Sequence, residues 1–157
     1  HMLAAVLRYC RLAVAYALSA AVAGLLIGVL FAVAGEGVPD TPWYVLAAFA
    51  ALFMAIWAAL PAHAIILVAE WRAIRSPWLY VGFAMLVGGI TGAVLRLTPW
   101  MPLAGLVVGI ATGLTFWAVA GRSAGDLIAK GKAGIFLLLL LAGSALATAA
   151  ATWLYAL

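Results

Sequence analysis

The sequence predicts an all-α fold, a polytopic bundle of transmembrane helices. Hydrophobic residues make up 70% of the chain and charged residues only 8%, whereas soluble domains carry about a quarter charged residues. Apolar runs recur along the chain, and each is long enough to cross ~30 Å of hydrocarbon at ~1.5 Å per residue. The connections between the runs are short, so we expect residues 2–157 to form a single domain.

The apolar runs predict five spans. The first run ends in Ala32-Val33-Ala34, which resembles a signal-peptide cleavage site. Its apolar core is longer than the ~7–15 residues of a signal peptide, so a retained helix is favoured. The spans are predicted at about residues 12–34, 43–74, 77–97, 100–120 and 133–155.

Three of these spans open with a hydroxyl residue, then Pro, then Trp: Thr41-Pro42-Trp43, Ser76-Pro77-Trp78 and Thr98-Pro99-Trp100. We expect the Ser or Thr side chain to cap free amide groups and Pro to occupy the first helical position. The Trp side chain is expected to anchor each span at the lipid–water interface.

The distribution of Lys and Arg predicts the orientation. With the N-terminus inside, seven of the 8 Lys and Arg residues fall in cytoplasmic segments, and Arg96 alone lies outside. This bias places the N-terminus in the cytoplasm and the C-terminus outside, with a bacterial inner membrane as the expected location. The net charge of +4 therefore reflects helix ends, and nucleic acid is not an expected partner.

Glycine spacing predicts close helix packing, because lipid gives helices no hydrophobic reason to associate. Gly105, Gly109 and Gly113 form a flat groove along the fourth span, and the third span carries Gly88 and Gly92. Packing within the bundle is favoured. A homodimer, or docking on a larger membrane complex, is the alternative use of these faces.

The second span contains Pro61 and His63 within its apolar run. Pro61 has no amide hydrogen, so it leaves the carbonyl of Trp57 unpaired and predicts a kink. An ionisable side chain at this depth is costly, which makes His63 a candidate for ligand binding or proton relay. The alternative is a neutral histidine, bonded to a threonine or to the Trp57 carbonyl, that only fixes the kink.

Glu70 lies seven residues after His63, on the same helix face and ~10 Å away. It is a second candidate for a proton relay, linked to His63 through water. A solvated carboxylate that pairs with Arg72, Arg75 or a lysine of the 121–132 segment is the favoured interpretation.

Hydroxyl side chains on neighbouring spans fall near the predicted depth of His63. They suggest a polar layer beside the kink, which would not exist if its threonines and serine faced lipid. The members are Tyr16, Ser19, Thr112, Thr115 and Ser144.

Cationic side chains at the span ends are expected to contact anionic lipid headgroups or to snorkel to phosphate. They are Arg72, Arg75, Arg96, Arg122, Lys130 and Lys132.

Several chemistries are disfavoured by the sequence. The spans carry no pair of carboxylates, a single usable histidine gives no metal site, and Ser123 has no base nearby. We therefore expect no enzyme activity, no metal and no cofactor. Three functions stay open: a binder or carrier of an amphiphilic molecule beside the kink with His63 as its polar group, an accessory subunit of a larger complex, and a proton-coupled transporter using His63 and Glu70.

Overall fold

The computed structural model describes residues 2–35, 40–95 and 99–125, and the regular secondary structure in this part of the chain is all helical. Three of its helices are long and apolar enough to cross a membrane, and a bent pair of shorter helices makes a fourth candidate. By length and composition these helices indicate a helical membrane protein. The helices are α1 (Met2–Ala34), α2 (Trp43–Trp57), α3 (Ala59–Arg72), α4 (Pro77–Leu95) and α5 (Met101–Val119), followed by a 3-10 turn at Gly121–Ser123. The predicted fifth span, 133–155, lies outside the described residues.

Helix α1 begins about ten residues before the predicted first span. Its 33 residues include Arg8 and Arg11, which the sequence pattern places ahead of the helix. Arg8 is buried, whereas Arg11 is exposed. The extra helical turns give Arg8 a fixed direction toward the other helices, and this determines the site described below.

The predicted starts of α2, α4 and α5 are confirmed to within about a residue. The predicted side-chain cap is wrong at α2, and Thr98, the predicted cap of α5, lies outside the described residues. The N-cap residues are Pro42 and Trp100, and neither makes a side-chain capping bond. Their backbone carbonyls instead accept the first helical bonds, from Val45 N–H at 2.9 Å and from Ala104 N–H at 3.0 Å. At α2 the Pro-Trp step therefore marks the helix start without a hydroxyl cap.

The second predicted span is two helices and not one kinked helix. Helices α2 and α3 meet at Ala58 with a bend of 56°. The interruption lies N-terminal to Pro61, which occupies the first turn of α3. A proline is tolerated there because the amide it lacks has no intrahelical partner.

The break leaves carbonyl groups at the end of α2 without their usual helical partners. The Met54 carbonyl keeps its regular helical bond, because the Ala58 amide donates to it at 2.9 Å. The Tyr16 hydroxyl of α1 donates to the Ala55 carbonyl. A side chain from a neighbouring helix therefore completes the hydrogen bonding of the break.

Glycine contacts hold α4 against α5. A Cβ atom added to Gly105 would lie 2.1 Å from the Gly88 carbonyl oxygen, and one added to Gly109 would lie 2.5 Å from the Ala84 carbonyl oxygen. These distances are too short for any side chain. The predicted glycine groove is thus filled by α4 of the same chain and is not open to a partner.

Candidate functional site

A buried ion pair joins α1 to α3 at one end of the bundle. The Arg8 guanidinium donates to Glu70 Oε1 from Nε at 3.1 Å and from Nη2 as well. Only 7% of Arg8 and 2% of Glu70 is exposed. Such a pair is stable only when its remaining polar atoms also find partners.

Those partners come from the end of α5 and the turn that follows it. Arg8 Nη1 donates to the Ala120 carbonyl at 2.9 Å and to Ser123 Oγ at 2.7 Å. The Gly125 amide donates to Glu70 Oε2 at 2.9 Å. We call Arg8, Glu70, Ser123 and Gly125 the polar cluster, and this end of the bundle the arginine end.

The position of Gly125 allows no side chain. Its φ is +81°, and an added Cβ would lie 2.4 Å from the Cβ of Ala73. Ala73 itself ends α3 in the left-handed conformation, with φ 52°. Two tight turns therefore bring the Gly125 amide against the carboxylate.

The prediction of a solvated Glu70 that pairs with Arg72 or Arg75 is wrong. Arg72 follows Glu70 by two residues and therefore points to another side of α3; it is exposed. Glu70 faces inward, where the longer α1 places Arg8. The pairing partner comes from a different helix because that helix extends further than its apolar run.

Three arginine side chains cover carbonyl groups at the C-terminal end of α5. Arg8 bonds Ala120 O, Arg11 Nε donates to Val119 O, and Arg75 Nε donates to Ala124 O at 3.1 Å. Carbonyl groups at a helix C-terminus lack helical partners and carry partial negative charge. Arg8 and Arg11 thus stabilise the helix end, Arg75 bonds the turn that follows it, and Arg8 alone of the three also pairs with the carboxylate.

The predicted lipid-contact residues fall into two groups. Arg72 and Arg122 are exposed, and the Arg122 guanidinium lies 4.5 Å from the centre of the Trp117 ring. Arg75 is also exposed, and it donates to the Ala124 carbonyl as described above. The others lie outside the described residues: Arg96, Lys130 and Lys132.

His63 is turned toward its own helix. Its Nδ1 lies 2.6 Å from the Ala59 carbonyl oxygen, one turn earlier in α3. Because a carbonyl can only accept, Nδ1 carries the hydrogen. The Tyr16 ring is 6.3 Å away between centroids. Among the residues that the structure describes, the histidine bonds neither a threonine nor Trp57. The relay partner Glu70 is engaged with Arg8.

A cavity lies between the helices beside the helix break. A cavity of about 110 Å³ is bounded by Ala58 and Ala62 at the break and by residues of all five helices. Its hydroxyl-bearing residues are Tyr16, Ser19, Thr112 and Tyr80. His63 and Thr115 are not among the lining residues. Part of the predicted polar layer thus surrounds a cavity, without the histidine.

Each described hydroxyl side chain that lines this smaller cavity already directs its hydrogen at a backbone carbonyl. Ser19 Oγ lies 2.8 Å from Ala15 O and 3.2 Å from Thr112 O, and Thr112 Oγ1 donates to Gly109 O at 3.1 Å. Thr115 similarly donates to Ala111 O at 2.8 Å. The cavity therefore presents hydroxyl oxygens as acceptors. Ser144, the remaining predicted member, lies outside the described residues.

A larger cavity of about 330 Å³ continues toward the opposite end of the bundle. Both cavities touch Met54, Gly88 and Val108, so the two are adjacent. The larger one is lined by residues of α1, α2, α4 and α5, and its described walls are almost wholly apolar. They include Phe31, Phe49, Ala50, Phe53, Trp100, Met101 and Ala104.

Two side-chain contacts join the helices that enclose this larger cavity. Trp57 Nε1 donates to Thr91 Oγ1 at 3.1 Å and so ties the end of α2 to α4. The Phe31 and Trp100 rings meet edge to face, with centroids 5.8 Å apart. These contacts therefore connect α2 to α4 and α1 to the start of α5 beside the cavity.

Sequence reasoning missed Arg8, Gly125 and the apolar cavity. A signal for the ion pair was present: Glu70 is the one acidic residue within the described helices, and it lies in an apolar run. Such a residue needs a cation from another helix. The cavity has no comparable signal, because it depends on how four helices cross.

No group of three or more metal-binding side chains occurs among residues 2–35, 40–95 and 99–125. Comparison with protein-family models, characterised proteins and solved structures gives no match.

Proposed function

We propose that this protein binds or carries an amphiphilic, lipid-like small molecule in the hollow centre of its bundle. The observation that supports this function is the 330 Å³ apolar cavity, which adjoins a smaller cavity carrying hydroxyl groups. Ligand sites are typically concave, mostly apolar, and furnished with a few convergent polar groups. The pair of cavities has this character.

The polar group of the site differs from the one first expected. His63 lies outside the lining and bonds its own helix, so we assign the polar contacts to Tyr16, Ser19 and Thr112. The polar cluster lies near the smaller cavity. Tyr80 and Phe116 line that cavity and pack in one hydrophobic core with Ala69, the residue before Glu70.

The other two functions receive less support. An accessory subunit would need a free packing face, and the Gly105 groove is occupied by α4. A proton relay would need Glu70 to face His63, and its carboxylate is bound by Arg8 and Gly125.

The proposal includes a topology of five spans in a bacterial inner membrane, with the arginine end in the cytoplasm and membrane lipids as partners. Cys10 is exposed near this end, so a membrane-impermeant maleimide should label it only from the cytoplasmic side. Ala34→Cys, placed at the other end of α1 in a Cys10→Ser background, should be labelled only from outside. The reverse pattern would invert the topology.

The binding function is tested by native mass spectrometry of the protein after exposure to total membrane lipid. We expect a bound small molecule in the wild type and at least ~10-fold less in Ala50→Phe, which fills the larger cavity from α2. Ala48→Phe is the matched control, because Ala48 is exposed on the same helix.

Overpacking alone costs roughly 1–3 kcal/mol, so the folded state of Ala50→Phe must be checked by its melting temperature. Ala104→Leu fills the same cavity from the opposite wall and gives a second test. Equal retention of ligand by the wild type and both filled variants would overturn the proposed site.

A further inference from the structure

We infer that the ligand is a neutral amphiphile whose polar end donates a hydrogen bond, such as a long-chain alcohol. This inference rests on the proposed function and specifies its ligand class. The polar end occupies the smaller cavity beside the helix break, and the hydrocarbon chain occupies the larger cavity.

The direction of the existing hydrogen bonds carries the first step. A Ser or Thr hydroxyl has one hydrogen and two acceptor lone pairs. Thr112 gives its hydrogen to Gly109 O, Ser19 gives its hydrogen to a backbone carbonyl, and Tyr16 gives its hydrogen to Ala55 O. What these side chains offer a ligand is therefore acceptor oxygen, and a ligand group without a hydrogen to donate would face lone pairs.

The distribution of charge carries the second step. No charged residue occurs among the described residues that line either cavity, and the sequence from 133 to 157 contains none. Burying a carboxylate or phosphate without a counter-charge is strongly unfavourable. The Arg8 guanidinium does not supply one, since Glu70, Ser123 and the Ala120 carbonyl already occupy it. A neutral polar end is therefore favoured over an anionic one.

The near absence of polar surface in the larger cavity carries the third step. Its lining combines aromatic and aliphatic side chains from four helices with glycine backbone. Hydrocarbon needs no hydrogen-bond partner, so it fits this lining without leaving a polar group unpaired. A chain in this cavity and a donor group in the adjoining one would satisfy both linings at once.

Three probes of equal chain length test this inference: hexadecanol, methyl hexadecyl ether and hexadecanoate. The ether keeps the oxygen acceptor but lacks the hydroxyl hydrogen, and hexadecanoate is an anion. Native mass spectrometry of the protein in nanodiscs should show hexadecanol binding at least ~5-fold more tightly than either competitor, as expected for about one hydrogen bond.

A pair of variants on α5 identifies the acceptor. Thr112→Val removes an acceptor oxygen from the cavity and should weaken hexadecanol binding about 5-fold, while binding of the ether stays unchanged. Thr115→Val is the matched control, because Thr115 makes the same type of backbone bond without lining the cavity.

Each outcome is decisive. Equal or tighter binding of the ether or of hexadecanoate, blocked by Ala50→Phe, would overturn the donor inference and leave the proposed function standing. Binding of none of the three probes would overturn the inference too, and absence of any lipid-derived ligand would remove the proposed function with it.

Discussion

Arg8 and Glu70 are 62 residues apart in the sequence and form a buried ion pair with at least one contact of 3.1 Å. The pair joins the first helix to the half-helix that follows the break in the second predicted span. Arg8 also donates to the Ala120 carbonyl at the end of α5, and the Gly125 amide donates to Glu70, so three separate segments meet at one carboxylate and one guanidinium.

Removing one member of this pair should destabilise the protein strongly. Glu70→Gln keeps the shape of the side chain but leaves the Arg8 charge buried without a counter-charge, which typically costs about 3–5 kcal/mol. Arg72→Gln is the control, since Arg72 is exposed on the same helix; its cost should stay within about 0.5 kcal/mol. Unfolding in mixed detergent micelles measures both.

Replacing both members should cost less than the sum of the single changes. In Arg8→Met/Glu70→Met no uncompensated charge is left, so we expect a favourable coupling of about 1–3 kcal/mol. Strict additivity of the two single variants would show that the ion pair does not couple these helices.

The packing of α4 on α5 predicts a sharp contrast between two glycines. Gly109→Ala would place a methyl group 2.6 Å from the Met85 Cα atom, whereas a methyl group added at Gly82 would meet no atom within 4 Å. We expect Gly109→Ala to lower stability by about 1–3 kcal/mol through overpacking. Gly82→Ala should be neutral or raise stability by up to about 1 kcal/mol. Equal effects on unfolding would contradict the observed helix contact.

The bond from Tyr16 to Ala55 predicts that the helix break depends on α1. Tyr16→Phe leaves the Ala55 carbonyl without this donor, and we expect a loss of about 1 kcal/mol. Tyr44→Phe is the control, because Tyr44 is 60% exposed on α2. If the two variants unfold alike, the hydroxyl contributes nothing to the break.

The orientation of His63 predicts that this residue is dispensable for ligand binding. His63→Ala should change retention of hexadecanol by less than about 2-fold, at any pH between about 5 and 8, because the imidazole lies outside both cavities. If His63→Ala lost binding, or lost a pH dependence of binding that the wild type shows, the histidine would belong to the site.

Much of the fold could be predicted because bilayer-spanning helices leave a local signal. Apolar length, the Pro-Trp starts and glycine spacing indicated α2, α4 and α5 and their close packing. The N-terminal end of α1 was not predicted, because its first turns carry Arg8 and Arg11 and resemble a polar segment that flanks a span. Pro61 correctly indicated a distortion of the second predicted span, but the helix is interrupted at Ala58. A proline alone does not determine which nearby residue leaves the helical conformation.

The site was less accessible to prediction, since it depends on contacts between distant segments. The predicted depth of each residue in its span indicated that Tyr16, Ser19 and Thr112 lie near one another, and all three line the smaller cavity. It also selected His63, whose side chain folds back onto Ala59, a choice that periodicity does not reveal. The apolar cavity is lined by four helices, so the sequence pattern of any one helix does not predict it.

Photoaffinity labelling measures occupancy of the cavity most directly. A diazirine placed in the alkyl chain of hexadecanol should label cavity residues such as Phe53 and Met101, saturably, and excess hexadecanol or Ala50→Phe should abolish this labelling. Ala48→Phe should leave it intact. Labelling confined to outward-facing residues such as Leu52 and Leu103, which are 56% and 66% exposed, would contradict an internal binding site.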